Sequence, residues 1–517
     1  MISRAVSKCA RWKGALSSWR KYECPSQKIV PESPLMSVMS TRWFAAASLL
    51  LILGAAEATY LAAEHYAVGG YGFSLDDSWI HAVFARNLAS GNGCCFNPQE
   101  EIAGSTAPLF TVLLAGWYLI AHEVIWGAKL LGMLGLALAG LFLYLAGERL
   151  ANRATAWLAV ALCFVSPALL IANLSGMEIG LYLVSPCAAL YAWSRQKYGW
   201  MITALGLGVW LRPEALLLLA VGWLAVPKER RWVMLGIGTA FVLPYFVFNY
   251  TLSGFPLPLT VLTKSRKYTG HFSLVYLQET QYLFSTYHWL PLFALLPVGF
   301  VALFKKAWWA AVYPPLFYLT QWGMQLTSAS FHRYLHPMLP FAYLTMAFSL
   351  VWLAGRPPKW RSAAWVVLAV LLIMQARTAY HLRWTHALAV QNITDMQVTM
   401  GKMAAEVTAP ADTIATCDVG AIGYFSGRYV LDLIGLVTPM QSFSQNMRER
   451  PAMLAIFDPW FAERRYDSTF VDHYKYLAAL KLNQNIVCGY ETMSIYVRDD
   501  RYDDIAVRFQ ELQMNSP

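Results

Sequence analysis

Charge is what this chain has least of. Only 14% of its 517 residues are Asp, Glu, Lys or Arg, against 57% hydrophobic. That leaves too few ionised groups to clothe a soluble enzyme, and it excludes one carrying a single anchor. The net charge of +10 does not point to nucleic acid, because the Lys and Arg residues sit mainly in short runs between apolar segments, where they act as topology signals. Cysteine is sparse as well. Cys94 and Cys95 adjoin, Cys163 and Cys187 lie in apolar spans, and only Cys417 with Cys488 reads as a candidate disulfide. No His/Cys/Asp cluster has metal-ligand spacing, so no cofactor is assigned, and a divalent ion joining two carboxylates is unsupported. Also missing are an internal repeat between the two halves and acids buried mid-helix, which speaks against a carrier.

What is present is a series of apolar stretches long enough to cross a bilayer core, which takes about 20 residues as a helix. About eleven crossings are expected, centred near Leu51, Leu136, Ala161, Leu183, Leu205, Leu219, Gly238, Leu296, Leu316, Thr345 and Val370. Residues 1–42 form a basic cytoplasmic tail with neither an apolar core nor a small-residue cleavage pattern. Residues 107–122 are apolar too. Counting them as a helix in the outer leaflet keeps Arg149/Arg153, Arg195/Lys197, Lys228/Arg230/Arg231, Lys305/Lys306 and Arg356/Lys359/Arg361 on the cytoplasmic side.

The polar residues left over then gather on the opposite face. They lie in a first outer loop, 64–106, in turns at 173–178 and 212–214, in the loop 254–288, at 332–337, and in a region from 385 to 517. The short fifth and sixth crossings with Pro213 between them suggest helices that stop inside the membrane and leave Arg212 and Glu214 lining a cavity; an interfacial salt bridge is the alternative. In the last region, 412–417 and 429–433 are expected as strands around a turn holding Gly420, Gly423 and Gly427. A late hairpin is expected from 485–488 and 493–497, and helices from 453–461 and 469–480.

Asp76 and Asp77 are the focal pair. Trp79, Ile80, Val83, Phe84 and Leu88 follow at helical spacing, with His81 and Arg86 off that stripe, which predicts an amphipathic interfacial helix opening on two acids. One acid is enough for a helix cap, so the second is left for chemistry. A carboxylate at a helix start is kept ionised and is suited to take a proton from a sugar hydroxyl. Opposite it stand cations that run against the usual charge bias of outer loops: Lys264, Arg266 and Lys267, then His332, Arg333 and His336. Such a group calls for an anionic partner, either a phosphate at the membrane surface or anionic lipid heads in general.

The order of pieces resembles the GT-C superfamily of membrane glycosyltransferases, and within it the cell-wall terminal arabinofuranosyltransferases and their relatives. The matching pieces are Asp76-Asp77 with Ile80, Ala85 to Ala89, Gly91 and Gly93, Phe96-Asn97-Pro98, Gly104 to Leu109 and Ser175 to Glu178. Leu211 to Glu214, Arg333-Tyr334 with Pro340, Asp418 to Tyr424 and Asp432 to Leu436 complete the series. Ser78-Trp79 and Cys94-Cys95 depart from the family pattern.

The resemblance implies a mostly α fold, a membrane domain at 43–384 bearing a small extracytoplasmic α/β domain at 385–517. It also implies an inverting enzyme of the cytoplasmic membrane, with its active site facing outward. Such an enzyme moves one sugar, arabinofuranose by analogy, from a polyprenyl-phosphate donor to a hydroxyl of a glycan, lipid or protein. The rival readings are a polyprenyl-linked sugar flippase or an oligosaccharide ligase. Asp76 is assigned the base and Asp77 the orientation of the acceptor or of a cation, with the reverse order open. Arg212, Lys264, Arg266, Arg333 and His336 are assigned to the donor phosphate, and Trp79, Arg86, Asn97, Glu178 and Glu214 to sugar or acceptor, with a structural pairing of Glu178 and Glu214 with Arg212 as the alternative.

Overall fold

The computed structural model describes residues 34–98, 100–261, 296–324, 331 and 333–515, with scattered positions between 263 and 281. By internal packing the chain falls into residues 1–47, of which only the opening turns of one helix are described, and residues 48–517, which hold all that follows. Lys264, Arg266, Lys267 and His332 lie outside the described residues.

In lipid the backbone has no water to bond to, so apolar stretches become helices that satisfy their own N–H and C=O groups. Among the described residues, five helices are long and apolar enough to cross a membrane: Phe44–Val68, Ile125–Leu150, Lys228–Ser253, Arg333–Ala354 and Pro358–Val407. A bent helix pair passes the same test only when its halves are taken together. Its halves, Arg153–Phe164 and Pro167–Leu174, meet at 57°, where Pro167 supplies no N–H to continue the ladder. Four further apolar helices, Pro108–Ala121, Ile179–Ser194, Tyr198–Val209 and Ala215–Ala225, are shorter. The last of these, at 1.5 Å per residue, reaches only about half of a ~30 Å hydrocarbon core. The expected eleven crossings therefore exceed the five or six that helix length and composition support. The surplus lies in these short helices and in Leu296–Met324, which breaks at Ala307 (φ −151°, ψ 75°), right after Lys305-Lys306.

Glycine lets these helices touch backbone to backbone, as small residues do where no hydrophobic force separates helix from lipid. A Cβ at Gly135 would lie 2.5 Å from the Gly180 carbonyl carbon, and one at Gly132 would lie 2.2 Å from the Asn173 oxygen.

The C-terminal region builds one five-stranded sheet in the order β2-β1-β3-β5-β4, from β1 Thr413–Thr416, β2 Tyr429–Asp432, β3 Met453–Ile456, β4 Tyr474–Lys481 and β5 Thr492–Arg498. β1 runs parallel to β2 and β3, while β5 runs antiparallel to β3 and β4. The first two strands fall where the sequence predicts them. Several expectations are corrected. Met453–Ile456 is a strand, not the start of a helix: all four residues are buried at the centre of the sheet, and a short apolar run carries no period to tell helix from strand. The hairpin partner of β5 is Tyr474–Lys481 rather than 485–488, so most of the expected 469–480 helix is strand and only Ser468–Val471 is helical. The glycines 420 and 423 sit inside a helix, Val419–Ser426, with Gly427 as its left-handed cap (φ 61°). Cys417 and Cys488 are both free, and the Cys488 thiol donates to Gln397 Oε1 at 3.4 Å, so the candidate disulfide is absent.

Gly135→Ala should lower the thermal unfolding midpoint of the purified protein. Overpacking a tight helix contact costs about 1–3 kcal/mol, and an unchanged midpoint would refute the close approach at Gly180.

Candidate active site

The Asp76–Ala89 helix carries the focal pair, but it is not an interfacial helix with one wet face. Ser78 through Ala85 and Asn87 are all buried. The apolar stripe packs on the C-terminal region through Trp79, which meets Tyr424 and Phe425 at ring separations of 5.0 and 4.8 Å, and on the first outer loop through Phe84, 5.9 Å from Phe96. His81 points the other way, edge-on to Phe110 at 5.6 Å.

Neither acid caps its own helix; Leu75 holds the cap position and makes no side-chain bond. Asp76 instead reaches 344 residues along the chain and accepts the N–H of Gly420 and of Ala421, each at 2.8 Å, at the start of the Val419–Ser426 helix. Burial, with the charge of nearby Asp418 next, pushes the Asp76 carboxyl well above the usual carboxylate range, although the two N–H bonds pull the other way. Burial likewise raises Asp418 to about 6, against the hydrogen bond that Gln397 Nε2 donates to it at 2.6 Å. Asp432 accepts the N–H groups of Ile434 and Val437, both at 2.8 Å, and that of Leu436, and so holds the turn after β2.

Asp77 faces a cavity of about 270 Å³. Its carboxylate pairs with Arg333, and the cavity wall continues through His81, Glu178, Arg212, Glu214 and Tyr334. Ile80, Leu216, Leu217, Leu257, Val261, Phe317 and Leu436 make the rest largely apolar. Arg212 comes from the turn between the two short helices and is gripped on both sides, by Glu178 at 2.5 Å and Glu214 at 2.9 Å. Its charge is thereby neutralised within the protein. Tyr334 sits between the guanidinium groups, 5.8 Å from Arg212 and 5.2 Å from Arg333. Arg333 is 4% exposed; its Nη2 serves Asp77 and the Tyr334 hydroxyl, and its Nη1 has no hydrogen-bond partner among the described residues.

The cavity thus gathers Asp77, Arg212, Arg333, Glu178 and Glu214. Asp76 and four other expected site residues lie outside its lining. Trp79 is packed in the aromatic seam, and Arg86 donates to the Tyr424 carbonyl at 2.6 Å with its guanidinium 4.7 Å from that ring. Asn97 brackets Val430, donating to its oxygen and accepting from its N–H at 2.9 Å each. His336 is buried in the turn Arg333–Met338 and does not line the cavity. Sequence reasoning passed over His81, which lines the cavity, has Nδ1 3.1 Å from Ser105 Oγ and lies 3.5 Å from Glu178. Its position four residues after Asp77, on the same helix face, was the available signal. Among the described residues no group of three His, Cys, Asp or Glu is arranged to hold a metal ion.

Similarity to known proteins comes from structure. ArnT from Cupriavidus metallidurans in the apo state superposes with a TM-score of 0.57 at 14% identity, over 91% of this chain and 99% of that one. The archaeal oligosaccharyltransferase AglB from Archaeoglobus fulgidus, in complex with an inhibitory peptide and a dolichol-phosphate, gives 0.57 at 10% identity over 92% and 79%. The chain has the GT-C fold. At these identities the likeness to GT-C glycosyltransferases is one of architecture. Residues 391–502 match the model of a domain of unknown function (DUF8728), and no curated protein sequence matches.

The raised carboxyls at the GT-C junction set a pH dependence. Asp418 titrates near 3.8 unfolded and about 6 folded, so between those values the folded state holds more protons, and stability falls as pH rises through the window. The unfolding midpoint should be lower at neutral pH than near pH 5, and Asp418→Asn should flatten that difference. A midpoint that rises over the same interval in the wild type would contradict the assignment.

Proposed function

We propose that this protein is an inverting membrane glycosyltransferase that takes a single sugar from a polyprenyl-phosphate donor on the extracytoplasmic side and attaches it to a hydroxyl of a cell-envelope acceptor. One observation carries the reading. The buried Arg333 guanidinium lines the cavity and bonds Asp77 through Nη2, while its Nη1 has no hydrogen-bond partner among the described residues, so a base and an anion-binding donor share one group. Unpaired buried donors are costly unless a ligand satisfies them, and a phosphate oxygen does so with a charge-assisted bond.

In this scheme Asp77 takes the proton of the acceptor hydroxyl as its oxygen bonds to the anomeric carbon. The bond from that carbon to the phosphate oxygen breaks, and polyprenyl phosphate leaves as an anion against Arg333. Because the leaving group needs no proton, no general acid is required. Asp77 replaces Asp76 as the assigned base, since both Asp76 oxygens already accept backbone N–H groups outside the cavity lining. Arg212, neutralised by two carboxylates, is reassigned to shaping the sugar end, with Glu178 and Glu214 accepting hydroxyl protons. The apolar wall suits the first isoprene units. Its volume, near the lower end of small-molecule sites at about 300–1,000 Å³, favours a monosaccharide over the oligosaccharide of a ligase. The structural neighbours support the donor class: one ArnT structure is bound to undecaprenyl phosphate, and the AglB structure holds a dolichol-phosphate.

Asp77→Asn should lower transfer by about 10²–10⁴-fold, the usual worth of a positioned base, with undecaprenyl phosphate binding retained. Asp76→Asn should act mainly on the unfolding midpoint. Wild-type rates from Asp77→Asn, measured with labelled lipid-linked monosaccharides, would overturn the base assignment. Arg333→Gln should weaken undecaprenyl phosphate binding by about 10–100-fold, the loss of one charged hydrogen bond; unchanged affinity in a titration would remove Arg333 from the phosphate site.

A further inference from the structure

A second polar cluster, outside the cavity, has no part in the chemistry above. Glu64, Lys129 and His386 come from three different membrane-spanning helices, Phe44–Val68, Ile125–Leu150 and Pro358–Val407, and all three side chains have 0% exposure. Glu64 Oε2 accepts from Lys129 Nζ at 2.9 Å and meets His386 Nε2 at 3.1 Å. One turn pair earlier on the same face, Glu57 accepts from the Asn173 amide at 2.5 Å. Burying charged groups costs desolvation, and an apolar trio of similar volume would hold three helices together at least as well. Helix cohesion alone therefore does not account for the cluster.

What an apolar trio lacks is a pair of bonds to the backbone. Glu64 Oε1 accepts the Gly72 N–H at 2.8 Å, and Lys129 donates to the Leu174 carbonyl at 3.0 Å. These two residues open the two segments that build the cavity. Four and five residues beyond Gly72 stand Asp76 and Asp77; four beyond Leu174 stands Glu178, which grips Arg212. The segments are also tied to each other, because Ser78 Oγ donates to the Ser175 carbonyl at 2.8 Å. Gly72 in turn lies against the helix that carries His386, where a Cβ would come within 2.9 Å of Val390.

We propose that Glu64 and Lys129, with His386 fixing Glu64, are positioning residues of the reaction centre: they hold Gly72 and Leu174 at one separation and so set the distance between Asp77 and the Glu178–Arg212 pair. This rests on the transfer reading for its catalytic consequence, while the geometric claim is testable without substrate.

The test replaces the trio with apolar residues in the full-length protein, Glu64→Leu with Lys129→Met and His386→Phe, alongside the conservative Glu64→Gln, which keeps an oxygen for Gly72. Hydrogen–deuterium exchange is followed peptide by peptide together with the unfolding midpoint. The expected result is an exchange rate at least about tenfold faster, equivalent to ~1.4 kcal/mol of local stability, in peptides covering 70–78 and 174–178 of the triple variant. The midpoint should stay within a few degrees, and Glu64→Gln should restore protection at Gly72. With labelled lipid-linked monosaccharides, kcat should fall about tenfold while KM moves little, as for geometry lost in the transition state. Unaltered exchange in both segments overturns the proposal, as does faster exchange with kcat unchanged. If the triple variant does not fold, Lys129→Gln carries the same two readouts. If the wild-type protein transfers no sugar, the transfer reading fails and exchange alone judges the positioning claim.

Discussion

Two backbone N–H groups, those of Gly420 and Ala421, converge on the carboxylate of Asp76, and the placement of everything in the cavity follows from that clasp. The helix it caps begins directly after β1, so the clasp fixes the sheet region to the helix bearing Asp77 and His81. It admits only glycine at one point, since a Cβ at position 420 would stand 2.1 Å from the Asp76 carbonyl oxygen. Arg86 on Tyr424 and Asn97 on Val430 extend the same seam on either side. Both oxygens of the Asp76 carboxylate are taken up by the helix start, outside the lining of the cavity. Its neighbour one residue on, turned toward the bundle, is the one left facing the cavity.

The electrostatics of that cavity follow from which charges are already spent. Glu178 and Glu214 together outweigh Arg212, so the end they occupy is rich in acceptors and suits hydroxyl groups. Among the described residues Arg333 binds one carboxylate, and its Nη1 has no hydrogen-bond partner. The cavity therefore has a hydroxyl-accepting end and an anion-accepting end a few side chains apart. A sugar phosphate carries this polarity itself. Its lipid tail matches the leucines and Phe317 that form the remaining wall.

Local signals in the sequence were legible wherever the structure is local. The helix opening at Asp76, the strands at 413–416 and 429–432, and the stop between the two short helices at Arg212-Pro213-Glu214 all rest on spacing, apolar runs or proline, and all are where those cues put them. Long-range pairings were not legible. Nothing within a window of Asp76 announces Gly420, and the pairing of Arg212 with Glu178, 34 residues earlier, stood only as one of two alternatives beside sugar contact. The same limit hid the all-round burial of the Asp76–Ala89 helix. Its polar-looking face is covered by partners from distant sequence, and binary patterning sees only the stripe. Met453–Ile456 failed for a different reason: a fully buried strand is hydrophobic on both faces, and its period disappears.

The bracket that Asn97 places around Val430 has a consequence beyond the seam. β2 is one margin of the sheet, and that bracket occupies the main-chain groups a further strand would need there. At the opposite margin, β4 is interrupted by an irregularity between Tyr476 and Ala478 and flanked by Lys475 and Lys481. Strand addition is thus disfavoured at both margins, at Val430 by an amide and along β4 by distortion and charge.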